Sequence, residues 1–299
     1  MELARTLRAV EELSDRHFNV LRAIERSSLR GSATLPEAIS RALGLSGDYV
    51  ARLLGDLHGA SLIWAPRGRK QGYVLNYAGL DALALRTMLR RGILASVGGA
   101  LGVGKEADVY EAVTPEGERV SLKLYRAGRA SMTKYRRTRG LPSELGSYLA
   151  ASVRFAADEV RALRTLSAAG LPVPSPVYRN RHAVVAQLIE GRLLVKARSV
   201  QRPPELILEE LLKSIRDAYE AGVIHRDLSA YNVMVDQEGR PWIIDWPQWV
   251  GRDHPNAQLC LRRDVQNVVD FFVRRYHLAV PSNMVEDFLS SVLQSGAPQ

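Results

Sequence analysis

The segment that decides the fold runs from Val223 to Val233 and reads Val-Ile-His-Arg-Asp-Leu-Ser-Ala-Tyr-Asn-Val. Asp227 and Asn232 lie five residues apart in a predicted loop after a short apolar strand, and Asp245 comes eighteen residues after Asp227. Phosphoryl-transfer enzymes use this spacing to place a general base at the attacking hydroxyl and oxygen ligands on Mg²⁺, which takes few protein ligands. The segment therefore predicts a catalytic base at Asp227 and metal ligands at Asn232 and Asp245.

Two glycines stand upstream of this segment, in the run from Gly102 through Val103 and Gly104 to Lys105, just before a predicted strand from Val109 to Val113. Glycines allow backbone N–H groups to approach phosphates without a side chain in the way. The run predicts a phosphate-binding turn that contacts ATP. A glycine pair in an ordinary hairpin is the structural alternative.

A lysine lies on the next predicted strand, Arg119 to Tyr125, whose alternating apolar residues leave Lys123 on the opposite face. A kinase keeps there the lysine that contacts nucleotide phosphates and pairs with a glutamate on the following helix. The predicted helix from Val153 to Leu166 offers Glu159 as that glutamate, with Asp158 as the competing assignment. A lysine on a solvated strand face is the alternative for Lys123.

These features follow one another in the order of a kinase-like chain. They predict an α+β fold, with a compact bilobal protein-kinase-like domain over residues 93–299. The N-lobe is expected at about 93–190 and the C-lobe at about 191–299. Within the C-lobe, a predicted hairpin of Val233 to Val235 and Trp242 to Ile244 delivers Asp245 at a strand end.

Predicted helices and a hairpin fill the first 92 residues. One helix covers Leu35 to Leu43, and Ser46 caps the next, whose apolar residues follow an i, i+3, i+4, i+7 pattern. Strands from Leu62 to Trp64 and from Tyr73 to Leu75 then flank a basic tip. This order resembles the winged-helix variant of helix-turn-helix, and it predicts a winged-helix domain with a connecting helix at residues 1–92.

The basic tip of the predicted wing carries Arg67, Arg69 and Lys70, which are candidate contacts to RNA phosphates or to a partner. The helix before the wing presents carboxylates and a histidine beside a single arginine, Arg52, which makes it a poor reader of a major groove. We therefore expect protein docking or loose phosphate contact from this domain. Sequence-specific DNA is not expected as a partner.

The chain has 299 residues, 46% of them hydrophobic and 24% charged, which excludes disordered and collagen-like chains. It has no apolar run of membrane-spanning length, and Glu and Arg interrupt the first residues where a secretory signal would be apolar, so we predict a cytoplasmic protein without a membrane partner. Cys260 is the only cysteine, which excludes an internal disulfide. The net charge of +9 arises from 41 basic residues, of which only six are Lys. Arginine forks favour a polyanionic partner, although a coding bias toward Arg would give the same count.

The chain after the metal aspartate is short. Asp245 is followed by Trp246-Pro247-Gln248-Trp249, without the D-F-G and A-P-E motifs of conventional protein kinases, and only fifty-four residues remain. These residues are too few for a peptide-docking C-lobe of conventional size. Two groups of compact kinase relatives fit this length: small-molecule phosphotransferases of the aminoglycoside and choline kinase type, and the atypical RIO kinases.

Six segments carry a specific resemblance: GVGKEADVY at 102–110, SLKLY at 121–125, NRHAVV at 180–185, IHRDLSAYN at 224–232, IDWPQ at 244–248 and HPNA at 254–257. Over nearly its whole length the chain resembles the second subfamily of the atypical RIO serine/threonine kinases, in its archaeal form. The resemblance implies that Asp227 is the catalytic aspartate, that Lys123 binds phosphates, and that Asn232 and Asp245 hold the metal. It also implies ATP and Mg²⁺ as cofactors.

The resemblance further implies a hinge against adenine at Gln187 to Glu190, with Gln187 and Ile189 among the ATP contacts. Ala107 stands where family members commonly have serine, which removes one phosphate contact. Ser229 stands where ordinary protein kinases have a lysine, so stabilisation of the transferred phosphate is expected to depend more on the metal and Lys105.

Glu159 comes thirty-six positions after Lys123, and the long segment between them is basic. In the RIO family it is a flexible, nucleotide-sensitive loop, and its charge suits ribosomal RNA. A merely solvated loop is the alternative. The expected contacts to the small ribosomal subunit precursor and its rRNA are Arg129, Lys134, Arg136 and Arg137, and the candidate autophosphorylation sites are Ser131, Thr133 and Ser143.

The resemblance thus implies an ATP-dependent serine/threonine kinase or ATPase that acts in small-subunit maturation. The family is associated with a phosphorylated metal-site aspartate, which would make Asp245 both ligand and phosphate acceptor. Two alternatives remain at this point: a small-molecule phosphotransferase, and a DNA-binding regulator whose kinase-like half only senses ATP.

Overall fold

The structure is a computed structural model that describes residues 2–65, 72–129, 145–197 and 199–295. The chain divides into two compact units, which are described separately. The first comprises Met1–Ala157 and Tyr178–Val185, and the second comprises Asp158–Val177 and Ala186–Gln299. No helix in these described ranges combines the length and the apolar character that crossing a bilayer requires.

The first unit opens with the predicted winged helix. Its elements are α1 (Glu2–Glu12), α2 (Asp15–Ser28), α3 (Pro36–Leu43), α4 (Gly47–Gly59), β1 (Ile63–Trp64), β2 (Val74–Leu75) and α5 (Tyr77–Arg90). Ser46 caps α4 by accepting a hydrogen bond from the Tyr49 N–H at 3.4 Å, as predicted. Strands β1 and β2 pair antiparallel, and a bridge between Thr34 and Tyr73 extends the hairpin. The wing residues Arg67, Arg69 and Lys70 lie outside the described residues.

A five-stranded sheet follows, most of which belongs to the same unit. Its strands are β3 (Ser96–Val103), β4 (Ala107–Val113), β5 (Arg119–Tyr125), β6 (Pro176–Asn180) and β7 (Ala183–Gln187), in the order β3-β4-β5-β7-β6. The bounds of β5 agree with the prediction. Val120, Leu122 and Leu124 are buried, and Lys123 alternates with them, so the strand period places the lysine on the face opposite the core.

Several predicted boundaries differ from the structure, and two of these differences concern elements near the candidate site. The sequence predicts Gly102 in the loop before β4. In the structure Gly102 lies near the end of β3 and pairs with Val109, so of the two glycines Gly104 alone lies in the turn. The helix predicted from Val153 is longer, since α6 spans Leu145–Ala168. Periodicity alone places helix and strand interiors well and their ends poorly, because neighbouring strands and helices extend an element beyond its own pattern.

The second unit is mainly helical. Its elements are β8 (Gly191–Leu193), α7 (Pro204–Glu220), β9 (Val223–Ile224), β10 (Val233–Asp236), β11 (Pro241–Ile243), β12 (Val250–Gly251), α8 (Ala257–Tyr276) and α9 (Met284–Ser295), with a short 3₁₀ helix at Ala230–Asn232. The predicted hairpin is β10 and β11, which pair antiparallel from Val233 with Ile243 to Val235 with Pro241. Strand β9 pairs with β12. The core includes Leu211, Trp246 and Phe272.

Four polar side chains are buried together in the first unit. The Arg126 guanidinium donates to both carboxylate oxygens of Asp81 at 2.7 and 2.8 Å and to Asp108 at 3.2 Å, and His182 Nε2 lies 2.7 Å from Asp81. Burial alone raises a carboxyl pKa, but attraction to Arg126 and the hydrogen bond from His182 hold the pKa of Asp81 below its usual range. Burial lowers the pKa of His182 because it disfavours the imidazolium.

The lowered pKa of His182 predicts a pH dependence of stability. Below about pH 6.5 the imidazole of His182 is protonated in the unfolded chain but stays neutral in the folded chain. The free energy of unfolding is therefore highest above that pH, and it decreases as the pH falls toward the folded-state pKa. One such group contributes a slope of up to about 1.4 kcal/mol per pH unit. Denaturant unfolding of the wild type and of His182→Gln between pH 5 and pH 8 should show this slope in the wild type only.

The matched control is His58→Gln, which alters an exposed histidine on α4 and should leave the wild-type slope unchanged. An equal slope in the wild type and His182→Gln would contradict the assignment of the pH dependence to the buried imidazole.

Candidate active site

The loop that carries Asp227 is held by a buried aspartate from α8. Asp264 accepts hydrogen bonds from the N–H groups of Arg226 at 2.7 Å and Leu228 at 3.0 Å. Burial raises the pKa of Asp264 above its usual range, and the two N–H donors partly oppose that rise. Arg226 has a left-handed φ of 74°, which is strained for a residue with a side chain. The two hydrogen bonds to Asp264 therefore stabilise a backbone conformation that the loop would not adopt alone.

His225 lies beneath the same loop and is buried. Its Nε2 lies 3.0 Å from the Ile244 carbonyl oxygen, and its Nδ1 accepts from the Asp227 N–H at 3.4 Å. The tautomer with a hydrogen on Nε2 and a lone pair on Nδ1 fits both contacts. The ring also packs on Trp246 at 4.5 Å between centroids. His225 therefore supports the loop and is not placed as a proton donor to a substrate.

The structure brings Asp227, Asn232 and Asp245 together. The Asn232 side-chain amide donates to the Asp227 carbonyl oxygen at 2.8 Å, and the Ile244 N–H donates to the Asn232 carbonyl oxygen at 2.9 Å. The first bond uses the NH₂ group of Asn232 and leaves its side-chain oxygen to act as a ligand. The second bond places Asp245, the next residue, beside Asn232. An amide oxygen and a carboxylate form a donor set that fits Mg²⁺, with phosphates and water completing the coordination.

Asp227 and Asp245 differ in their surroundings. Asp227 is exposed, as a base that must reach an attacking group needs to be, whereas Asp245 is half-buried. Asp245 also has a left-handed φ of 69°. Asp tolerates that region better than most residues, and strained backbone of this kind occurs at functional sites.

The segment after Asp245 is fixed by two tryptophans. The Trp246 indole is buried and donates to the Ile243 carbonyl oxygen at 3.1 Å. The Trp249 indole donates to the Asp158 carbonyl oxygen at 2.9 Å, so this segment is joined to the part of α6 that lies in the second unit.

The two competing partners for Lys123 differ in their environment within the second unit. Asp158 is partly exposed and lies 3.5 Å from the Arg161 guanidinium. Glu159 is buried, with 4% of its surface exposed. Which of the two carboxylates pairs with Lys123 stays a prediction.

In the first unit, the predicted phosphate-binding turn closes with a hydrogen bond from the Gly104 N–H to the Ala107 carbonyl oxygen at 2.8 Å. A Cβ atom at Gly104 would lie 3.0 Å from that oxygen, so the close approach favours glycine there. Val103 is 71% exposed and Lys105 is exposed as well. An exposed apolar side chain beside a glycine and a lysine suits a ligand that offers both an apolar ring and phosphates.

Lys123 in the first unit and the predicted hinge in the second unit each make contacts within their own unit. The Lys123 ammonium lies 4.9 Å from the ring centroid of Tyr125. Gln187 is fixed to Ser175, whose carbonyl oxygen accepts from the Gln187 N–H at 2.8 Å and whose N–H donates to Gln187 Oε1 at 3.3 Å. Ile189 is buried, and both hinge residues line a cavity of about 200 Å³ beside the β10–β11 turn.

The predicted RNA contacts are mostly beyond what the structure describes. Lys134, Arg136 and Arg137 lie outside the described residues, as do the candidate phosphorylation sites Ser131, Thr133 and Ser143. Arg129 is described, and it donates to the Gly104 carbonyl oxygen and to Asp108. Its contact with RNA stays a prediction.

Sequence reasoning missed Asp264. A signal was present, because Asp264 falls on the same face of α8 as the buried Leu261, Val265 and Val268. A lone carboxylate on the apolar face of a helix must accept hydrogen bonds from somewhere, but the sequence does not say from where.

The contacts of Asp264 predict the effect of Asp264→Asn. Asparagine has one acceptor oxygen, so either the Arg226 or the Leu228 N–H would face an NH₂ group, at a cost of about 1–3 kcal/mol. We expect a lower melting temperature and a phosphoryl-transfer rate at least about tenfold below wild type, with ADP affinity changed little. Asp270→Asn, an exposed carboxylate on the same helix, is the control and should behave as wild type. A full rate in Asp264→Asn would show that the two hydrogen bonds do not support catalysis.

The chain is similar in sequence to known protein families and to individual proteins. A family profile described as "RIO domain" matches residues 108–284, and one described as "Rio2, N-terminal" matches residues 10–91. The serine/threonine-protein kinase RIO2 of Caenorhabditis elegans is 38% identical over 264 residues, which are 87% of this chain and 50% of that protein. The chain thus spans half the length of this relative. Rio2 of Methanocaldococcus jannaschii is 36% identical over 67% of this chain and 76% of its own.

Among solved structures, the Rio2 kinase of Chaetomium thermophilum in an ADP/Mg²⁺-phosphoaspartate complex has a TM-score of 0.82 and 31% identity. The match covers 96% of this chain and 92% of that one. The relatives include archaeal and eukaryotic proteins, so an archaeal origin for this chain stays a prediction. The paired profiles, the identities and the structural match together place the chain in the RIO family of atypical serine/threonine-protein kinases, in the Rio2 subfamily.

Proposed function

We propose that this chain is a Mg-ATP-dependent serine/threonine kinase or ATPase that acts in the cytoplasm on the maturing small ribosomal subunit. The observation that carries the catalytic part is the hydrogen-bonded set of Asp227, Asn232 and Asp245. Two backbone carbonyls and one side-chain amide hold these three residues at one place, with oxygen ligands for a metal and an exposed carboxylate for a proton.

The residues of the proposed site then have distinct chemical tasks. Asp227 accepts the proton of the attacking group, while Lys105 and Lys123 pair with phosphate oxygens of ATP. Asn232 and Asp245 would hold Mg²⁺, which neutralises charge on the phosphates and aligns them for transfer. Because Ser229 supplies no cation after Asp227, the metal and the two lysines carry most of the charge stabilisation.

Asp245 is the proposed phosphate acceptor in an ATPase cycle. A carboxylate oxygen of Asp245 attacks the γ-phosphorus, a new O–P bond forms, the bond to the β–γ bridging oxygen breaks, and ADP leaves. Water then attacks the acyl phosphate, Asp227 accepts a proton from that water, and phosphate and free Asp245 are restored. Support comes from the Chaetomium thermophilum Rio2 complex, whose description includes a phosphoaspartate with ADP and Mg²⁺.

The ribosomal part of the proposal is supported by charge and by family membership. The chain carries 41 basic against 32 acidic residues, and the stretch 126–143 has six basic residues and no acidic one. Such stretches bind RNA phosphates by counterion release, which gives affinity without sequence selectivity. The precursor of the small subunit and its rRNA are therefore the proposed partners.

The acceptor role predicts the outcome of labelling with ATP that carries ³²P in the γ position. Wild-type protein should retain label that hydroxylamine removes, because hydroxylamine cleaves acyl phosphates and leaves phosphoserine intact. Asp245→Asn should lose this label and at least about 99% of ATP turnover, since both the acceptor and a metal ligand are altered. Added small subunits should change wild-type turnover. Label only on serine, threonine or an added alcohol would instead indicate a protein kinase or a small-molecule phosphotransferase.

The base role of Asp227 predicts a separation of binding from chemistry. Asp227→Ala removes the proton acceptor but leaves the proposed phosphate and metal contacts, so Mg-ADP affinity should stay within about threefold of wild type while turnover falls about a hundredfold or more. Calorimetric titration and steady-state phosphate release measure the two quantities. Asp217→Ala, on an exposed helix pair with Lys213, is the control. Unchanged turnover in Asp227→Ala would refute the assignment.

A further inference from the structure

The buried charges of the first unit form a continuous chain that ends at the phosphate-binding turn. Asp81 lies on α5, in the part of the sequence that matches the Rio2 N-terminal profile, and both of its oxygens accept from Arg126. Arg126 also donates to Asp108 at the start of β4. Arg129 donates to the same oxygen of Asp108 and, through its other terminal nitrogen, to the Gly104 carbonyl oxygen at 2.5 Å.

The chain segment from Arg126 to Arg129 is itself fixed to α5. Tyr77, one helical turn before Asp81, donates its hydroxyl hydrogen to the Ala127 carbonyl oxygen at 2.7 Å. Gly128 has a φ of 70°, and a Cβ atom there would lie 2.4 Å from the Tyr148 ring, so glycine is needed at this point. The segment is therefore held on one side by a helix and on the other by an aromatic ring.

Two carbonyl groups of the turn are held by this segment. The Glu106 carbonyl oxygen accepts from the Arg126 N–H at 2.5 Å, and the Gly104 carbonyl oxygen accepts from the Arg129 side chain. The peptide group is planar and trans, so its C=O and the N–H of the next residue point in opposite directions. Fixing the Gly104 carbonyl toward Arg129 therefore turns the Lys105 N–H to the other side of that peptide.

We propose that Arg129 is a positioning residue for the nucleotide phosphates, and that α5 supports it through Asp81, Arg126 and Asp108. Arg129 holds the Gly104–Lys105 peptide in the orientation that presents the Lys105 N–H to phosphate. The role needs a guanidinium, because one side chain must reach Gly104 and Asp108 at the same time. This inference rests on the proposed binding of ATP at the turn. It adds that the winged-helix part of the chain, through Asp81 on α5, supports the orientation of the Gly104–Lys105 peptide.

The test compares ligands with and without phosphates. In the full-length protein, Arg129→Gln should weaken Mg-ADP binding about tenfold, the loss expected for one charge-assisted hydrogen bond, and leave adenosine affinity unchanged. Both dissociation constants are measured by calorimetry or by competition against a fluorescent nucleotide. Equal weakening of ADP and adenosine, or no weakening of either, would overturn the proposal. If the wild type binds neither ligand, the proposed ATP function itself fails, which is a separate result.

A second variant separates positioning from charge. Arg129→Lys keeps the positive charge but reaches only one of the two acceptors, so it should restore ADP affinity only in part. Full restoration would mean that Arg129 acts by long-range attraction and would overturn the positioning role. Arg119→Gln is the matched control, since it removes an exposed arginine that pairs with Glu111 on the same sheet, and it should change neither affinity.

Discussion

One carboxylate on the first turns of α8 determines the shape of the catalytic loop. Asp264 is buried and accepts hydrogen bonds from the N–H groups of Arg226 and Leu228, which flank Asp227, and this pairing compensates for the left-handed backbone at Arg226. The position of Asp227 follows from those two bonds, and Asn232 and Asp245 follow from Asp227 through the amide and carbonyl contacts between them. The proposed base and the proposed metal ligands are thus positioned by backbone geometry, which a rigid helix sets from outside the loop.

The segment after Asp245 is held by specific side-chain contacts. Two indole N–H groups donate directly to backbone carbonyls, Trp246 to Ile243 and Trp249 to Asp158. Tryptophan suits this task because its large ring fills the core while its single N–H satisfies one buried acceptor. The result is an ordered segment of few residues.

Much of this could be predicted because it is local. The alternation of β5 predicted the face of Lys123, the cap at Ser46 predicted the start of α4, and the spacing of Asp227, Asn232 and Asp245 predicted that these three residues lie together. What escaped prediction depends on partners far apart in sequence. Asp264 acts on a loop 36 or more residues away, and Asp81 pairs with Arg126 across 45 residues. Hydrophobic periodicity and secondary-structure propensity depend only on residues close in sequence. They therefore show that a buried charge needs a partner, but they do not show which residue is that partner.

The Asp81–Arg126 pair has a consequence for the modularity of the chain. Two family profiles divide the sequence near residue 100, which suggests two exchangeable parts. Yet an arginine cannot lose its proton, and Arg126 is buried with its main counter-charge on α5. Deleting the winged helix would remove Asp81 and leave Asp108, which Arg129 shares, as the carboxylate partner of Arg126. Removing one partner of a buried ion pair typically costs about 3–5 kcal/mol. The winged helix and the five-stranded sheet are therefore expected to melt in one cooperative transition, and recombination between family members at this boundary is constrained to exchange both charges together.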